Sequence, residues 1–246
     1  MSDPVLREQS GSRLVLAAGV LGLGILLGAV AFGIFFHAAR SRTDTIQVVG
    51  SASERFQSDI AKWRVVLARQ VGQNELTAGY ALIRSDVARF VAALRAAGID
   101  SSSIGIQPVN AQPVWGPEGR RERYNLVQGL YVVSDVPERL EALALDPGRL
   151  LGEGVVLESS QLEFYYSKIA QMKRSLLSKA TEDARLRAQE IAGAAGGGIG
   201  RMLSARAGVF QITEPYSTEV AAYGIHSTST KEKEISVTVH ATFSGD

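Results

Sequence analysis

The three histidines have the most versatile chemistry in the sequence, since histidine serves both as a metal ligand and as a general base. His37 borders an apolar segment, His226 lies in a polar stretch, and His240 lies on the polar side of an alternating sequence. None has a partner at the spacing that a helix needs to bind zinc, and the motif HExxH is absent. We therefore expect surface or interface histidines and no histidine metal site, while a site of separated carboxylates stays open.

Motifs for covalent and phosphate chemistry are also missing. The chain has no cysteine, which excludes thiolate catalysis, disulfides and cysteine-bound metals. It has no GxSxG, and no serine is placed by spacing into a catalytic triad. The glycine-rich run 196–200 follows a helical pattern and precedes no GKS or GKT, so it predicts a helix end rather than a phosphate loop. We predict a protein that is not an enzyme and needs no cofactor.

The charge balance argues against nucleic acid as a partner. The chain carries 26 Lys and Arg residues against 25 Asp and Glu residues, a formal net charge of +1. It contains no basic run and no aromatic RNA-binding motif. Because binding to nucleic acid depends on a concentrated positive surface, we predict no partner of this class.

Trp115 is the side chain best suited to contact another protein. It ends an extended stretch and precedes the charged, glycine-bearing segment 116–123, which is typical of a hairpin connection. An exposed tryptophan there would anchor a partner. The alternative, which the usual behaviour of tryptophan favours, is packing against its own domain. Trp63, on the apolar side of its stretch, is predicted to be core.

Residues 14–36 are uniformly apolar and predict a transmembrane helix. They contain no charged side chain, and a helix of this length rises about 35 Å, enough to cross a hydrocarbon core of about 30 Å. A cleaved signal peptide is the alternative, with Ala31–Gly33 as the cleavage site. Three bulky residues follow that site directly, which favours an uncleaved anchor. Two arginines flank each end, so charge does not fix the orientation.

Small residues recur along this segment at the spacing of one helix face. Gly24 and Gly28 form a GxxxG pair, and Ala29 and Gly33 repeat the spacing. Such a face lets two membrane helices approach closely, so Gly24, Gly28 and Gly33 are candidate helix–helix contacts. The alternative, which we favour, is that glycine is simply common in membrane helices.

The remaining pattern predicts an α+β domain over residues 46–246, after a tail (1–13), the membrane helix (14–36) and a linker (37–45). Strands are predicted over 46–50, 60–71, 104–115, 124–136, 155–164, 201–213 and 235–243, and helices over 74–97, 137–151 and 167–195. A polar turn is predicted over 51–59 and an exposed loop over 214–230. Neighbouring strand pairs favour mostly antiparallel sheets covered by helices, and a repeated order of helix and two strands hints at two lobes.

Two helices carry sharper expectations. Asn74 is predicted to cap the first helix of the domain, and Gly98 to follow its end. The apolar stripe of the longest helix runs through Ala180, Ala184 and Ala188 to Ile191. Side chains this small predict that a backbone or a sheet packs close to the helix.

Several segments, in this order and at this spacing, resemble SIMPL-domain proteins, long described as a domain of unknown function. The segments are Ile46-x-Val48-x-Gly50, Ser51–Arg55, Asp59-x-Ala61-x-Trp63, Ala180–Ala184, Ala188-x-x-Ile191-Ala192, 196–200, Gly208–Thr213 and Lys233–Val239. The resemblance covers about residues 46–244, and its last two segments look like the branch with an uncleaved N-terminal membrane anchor.

This resemblance implies a cell-envelope protein anchored in the inner membrane, with its soluble domain in the periplasm of a Gram-negative bacterium. It implies two similar α+β lobes and, in some members, ring-like homo-oligomers. Members are linked to envelope or oxidative stress without an established reaction, so the family supplies no catalytic, cofactor or metal residues.

Three functions follow as hypotheses. The first is a non-enzymatic envelope protein that self-associates near the membrane. The second is a module that binds an envelope protein partner through Trp115 or the loop 214–230. The third and least favoured is an enzyme that uses carboxylates.

Overall fold

The computed structural model describes residues 5–40, 44–152 and 155–245, with only the backbone of residues 5–14 and 37–40. Helix α1, Val5–Arg40, contains the apolar span Val15–Phe36, whose mean hydropathy of 2.5 and length suit a membrane crossing. A signal sequence would pass the same test. The helix extends beyond the predicted span at both ends, so parts of the predicted tail and linker are helical, while residues 41–43 lie outside the described part.

The domain has the predicted α+β class. Its helices are α2 (Leu76–Ala96), α3 (Pro137–Leu145) and α4 (Ile169–Ala194). Its strands are β1 (Thr45–Gln57), β2 (Ile60–Gly72), β3 (Ile104–Trp115), β4 (Arg121–Ser134), β5 (Val156–Tyr165), β6 (Ile199–Ala207), β7 (Gln211–Thr213), β8 (Ile225–His226) and β9 (Glu232–Gly245). They form two sheets. The four-stranded sheet packs against α2 and α3, the five-stranded sheet packs against α4, and the two sheets do not share a core.

The four-stranded lobe is built from residues 60–165, with strand order β3-β4-β2-β5 and antiparallel pairing throughout. Alternate residues of β2, among them Trp63 and Leu67, are fully buried under α2 and α3. The indole Nε1 of Trp63 donates to Ser160 Oγ at 2.9 Å, and its ring lies 5.7 Å from that of Phe90. The core role predicted for Trp63 is confirmed.

The five-stranded lobe joins the two ends of the domain, because β1 pairs antiparallel with β9 from Thr45 opposite Ser244 to Gln57 opposite Glu232. On its other side β9 pairs with β6 and β7, and β7 adds β8 in parallel. Helix α4 covers one face, and its fully buried Ala180 and Ala184 lie against β1. A Cβ on Gly50 would overlap the carbonyl oxygen of Ala180, so the close helix–sheet approach predicted from the alanines is confirmed.

Several details of the predicted elements are wrong. The helix predicted over 137–151 ends at Leu145 and is followed by a 3-10 turn, and the predicted loop 214–230 contains the short strand β8. The segment 51–57 is strand rather than turn, because pairing with β9 satisfies its backbone while its polar side chains face solvent. The predicted strand 201–213 is two strands, β6 and β7, separated at residues 208–210. A 3-10 turn, Gln73–Glu75, precedes α2, so Asn74 does not cap it. On α4, Ala192 is buried and Ile191 is exposed, because a step of four from Ala188 stays on the buried face.

Candidate functional site

The face of the five-stranded sheet opposite α4 is open and forms a trough along β9. One end of the trough is an open groove of about 940 Å³ beside the loop that precedes β8, and a second section of about 420 Å³ continues toward the start of β1. Arg206 and His240 line both sections. The principal polar side chains along the trough are Gln47, Ser51, Ser53, Ser204, Ser236, Thr238 and Thr242.

The two-residue period of the strands explains this hydroxyl-rich floor. Along β9, residues such as Val237 and Val239 point into the core under α4. The alternate residues, which include Thr238 and His240, must therefore point to the opposite face. The outward residues of β1 include Ser51 and Ser53, which line the larger section of the trough, and the apolar Val49, which lines the smaller one. The sequence thus builds one apolar and one polar face from the same two strands.

A fixed segment walls the larger end of the trough. Val220, Ala221 and Ala222 line it from the loop between β7 and β8. The Gln211 amide donates to the carbonyl of Ala221 at 2.9 Å and accepts from its N–H at 3.4 Å. Gly224 has φ +86°, and a Cβ there would meet the carbonyl oxygen of Phe210 at 2.7 Å. The wall is therefore bonded to Gln211 of β7 at Ala221, and the backbone at Gly224 packs close to Phe210.

The positive charge of Arg206 in the trough is not paired with a carboxylate of the described residues. Arg206 lies opposite His240 in the pairing of β6 with β9. Among the described residues, the side chain of Arg206 makes no hydrogen bond or ion pair, and no Asp or Glu lines either section of the trough. By contrast, the nearby Arg55 is satisfied by Glu234 at 3.0 Å.

Three large exposed side chains, which we call the ridge, stand on the same loop. They are Tyr216, Val220 and Tyr223, and the exposed fractions of Val220 and Tyr223 are 80% and 99%. Tyr216 is held by stacking, because the Arg55 guanidinium lies 4.1 Å from the centre of its ring. The ridge therefore presents apolar surface from a loop that Arg55 and Gln211 hold in place.

Comparison with known families identifies the domain. Residues 46–243 match the family SIMPL, described as a protein of unknown function (DUF541). The chain belongs to the SIMPL family. The match covers both lobes, from the first strand to the last, so the trough and the ridge lie inside the SIMPL domain. No curated protein matches the chain significantly.

Trp115 lies at the tip of the SIMPL domain's β3–β4 hairpin and is 59% exposed. It does not pack into its own domain, so that expectation is wrong. The Arg121 guanidinium lies 5.4 Å from the ring centres of both Trp115 and Tyr124, and Arg121 donates to the Tyr124 hydroxyl at 2.5 Å. The tip thus carries an ordered group of one cation and two aromatic rings, and partner contact at Trp115 stays a prediction.

The other predicted residues of this SIMPL protein stay apart. A Cβ on Gly24, Gly28 or Gly33 would meet nothing within 4 Å, so the proposed helix–helix contact remains a prediction. His226 lies on β8, away from the trough, and the side chain of His37 lies outside the described part. Within the described residues, no group of three His, Asp or Glu side chains is arranged to hold a metal ion.

Sequence reasoning missed two residues that shape the SIMPL trough, Arg206 and Gln211. Arg206 belongs to no motif and becomes a neighbour of His240 only through the pairing of β6 with β9. Gln211 lies in the segment Gly208–Thr213, but nothing in the sequence singles out its side chain. Lys233 was also missed, although the sequence carries its signal. It continues the inward series of Ile235 and Val237, and the Nζ of its buried side chain donates to the Ser227 carbonyl at 2.6 Å. Burial lowers the pKa of Lys233 to about 8.

Proposed function

We propose that this SIMPL protein is a non-catalytic, membrane-anchored protein of the cell envelope that acts by self-association. The apolar span of α1 supports attachment to a membrane. The ridge supports self-association, and it is the observation that carries the proposal. The resemblance to anchored SIMPL proteins supports the periplasmic side and a ring-like homo-oligomer.

The ridge favours assembly because its apolar surface is both exposed and held in place. A mobile loop would lose conformational entropy on docking, whereas the Gln211–Ala221 clamp already restricts this one. Aromatic side chains on a rigid support are the usual anchors of protein contacts. Anchoring all copies in one membrane would also raise their effective concentration, so weak ridge contacts suffice.

Mass photometry of the detergent-solubilised full-length protein tests the proposal. The wild type should form multiples of its 26.3 kDa chain, and the double variant Val220→Ser, Tyr223→Ser should shift to the monomer. Leu145→Ser is the matched control, since Leu145 is 79% exposed but belongs to the four-stranded lobe. A wild type that stays monomeric at high protein concentration would overturn self-association.

Separate experiments test the membrane attachment and the periplasmic location of the domain. We expect the protein to resist carbonate extraction, to keep its N-terminal segment in the mature form, and to be accessible to protease at its C-terminus in spheroplasts. A mature N-terminus beyond Gly33 would contradict the anchor. A C-terminal tag that is protected in intact spheroplasts would contradict the periplasmic side.

The hairpin tip supports a second function, the binding of a partner protein in the envelope. The stacked Arg121 positions Trp115 without burying it, which is the condition for an anchor residue. A photo-crosslinking residue at position 115 should then capture one partner in cells, and Trp115→Ala should lose that partner in pull-downs. Recovery of the same proteins by the wild type and by the Trp115→Ala variant would remove this site.

A further inference from the structure

We propose that the trough binds a small ligand that carries an oxyanion group, a carboxylate or a phosphate, next to an apolar portion. Arg206 would hold the oxyanion, the floor hydroxyls would bind adjacent polar groups, and the wall would cover the apolar portion. The wall shares Val220 with the ridge, but the oxyanion contact is on β6 and β9, so an Arg206 variant tests this site separately from the self-association proposed above.

The size of the trough suits such a ligand. Its larger section of about 940 Å³ lies within the range of pockets that bind small molecules, about 300–1,000 Å³. The continuation toward the start of β1 leaves room for an elongated molecule. Depth at the larger end comes from the clamped wall at Val220 and Ala221, which does not need to rearrange to receive a ligand.

The positive charge of the trough favours an anionic ligand. Arg206 has no counter-ion among the described residues, and no carboxylate from that part of the chain lines the trough. An incoming oxyanion therefore meets no repulsion and does not have to displace an existing partner. The planar guanidinium can donate two parallel hydrogen bonds to a carboxylate or phosphate, which makes the contact directional as well as attractive.

The floor supplies further donors. The hydroxyl groups of Ser53, Ser236 and Thr238 line the trough and have no hydrogen-bond partner in the described residues. Each can donate to an oxyanion or accept from a ligand hydroxyl or amide. His240, beside Arg206, adds a polar ring that also hydrogen-bonds. Together with the apolar wall, these groups fit a ligand with one charged end.

The test uses full-length protein in detergent and three probes: inorganic phosphate, acetyl-trialanine with a free carboxylate, and the same peptide as its C-terminal amide. We expect the acid to bind and the amide to bind at least about tenfold more weakly, because the amide loses the charge-assisted hydrogen bonds. Binding of phosphate alone would assign the oxyanion to the phosphate class, and binding of the peptide acid would assign it to the carboxylate class.

Arg206→Gln should weaken binding of the preferred probe by about tenfold or more. Arg201→Gln is the matched control, because Arg201 is exposed on the same strand but lines neither section of the trough. Thr238→Val should give a smaller loss without removing charge. Equal affinities of the two arginine variants, equal binding of acid and amide, or no binding of any probe at millimolar concentration would overturn the proposal.

Discussion

Asp59 and Ser167 lie 108 residues apart in the sequence and are joined by two hydrogen bonds. The Asp59 carboxylate accepts from the Ser167 N–H at 2.7 Å and from the Ser167 hydroxyl at 2.5 Å. Asp59 follows β1 at the crossing into the four-stranded lobe, and Ser167 precedes α4 of the five-stranded lobe. This pair therefore ties the two lobes where the chain passes between them. Lys231 adds an ion pair with Glu138 across the same junction, at 3.2 Å.

Asp59→Ala should lower the free energy of unfolding by about 1–2 kcal/mol, because it leaves two donors of Ser167 without their acceptor. Urea unfolding of the solubilised protein, followed by circular dichroism, measures the loss. Asp135→Ala is the control, since Asp135 is exposed and lies at the end of a strand in the same lobe. Equal midpoints for both variants would show that the junction does not depend on Asp59.

The same pair predicts an acid dependence. Burial disfavours the charged form of Asp59, but the hydrogen bonds from Ser167 outweigh it and hold the pKa below the ordinary value of 3.8. A lowered pKa gives stability that is present above the unfolded-state value and is lost as the pH falls through the folded-state value. The stability difference between wild type and Asp59→Asn should therefore shrink when unfolding is measured below about pH 4. A constant difference down to about pH 2 would contradict the shift.

Gly50→Ala should destabilise the five-stranded lobe by about 2 kcal/mol or more, since the added methyl would collide with backbone atoms of α4 that cannot simply rotate away. Those atoms are the carbonyl oxygen of Ala180 and the amide nitrogen of Ala184. A Cβ on Gly193, which lies in α4 itself, would meet nothing within 4 Å, so Gly193→Ala should leave stability equal or raise it. Thermal unfolding of both variants distinguishes a local clash from a general intolerance of alanine.

Lys233→Met should remove a rise of stability with alkaline pH. The folded-state pKa of about 8 lies below the ordinary 10.5, so the unfolded chain binds the proton more tightly. The free energy of unfolding then increases as the pH rises from about 8 to about 10.5. Below about pH 8 it does not change with pH, because the folded protein carries the full cost of burying the charged lysine. The difference between wild type and variant across this range isolates Lys233 from other titrating groups. Parallel stability curves for the two proteins would argue against a buried charged lysine.

The sequence was most informative where one residue pattern decides the structure. The alternation from Ile235 to Phe243 predicted β9 and its two faces, and the alanines of α4 predicted close packing on a sheet. The segment 51–57 looks like a turn because its polar residues form a strand only when β9, from the far end of the chain, pairs with it. Local propensity does not contain that pairing.

The trough escaped prediction for the same reason. Arg206 and His240 belong to different strands, and no spacing in the sequence indicates that β6 and β9 are neighbours in the sheet. The wall depends on the side chain of Gln211, which reaches a backbone ten residues further on. For Trp115, the sequence predicted the position at a hairpin tip. It did not predict the exposure of the side chain, because that depends on which other side chains lie beside the tip.

The five-stranded lobe is closed by its first and last strands, with the whole four-stranded lobe inserted between them. Chains emerge from the ribosome N-terminus first, so β1 leaves before any of its partner strand exists. The inserted lobe is contiguous and can fold during synthesis, whereas β1 remains an unpaired strand until β9 arrives. During that interval the nascent protein most needs a chaperone that binds unfolded segments. Premature termination before β9 would leave the four-stranded lobe folded beside the unpaired, aggregation-prone edge of β1.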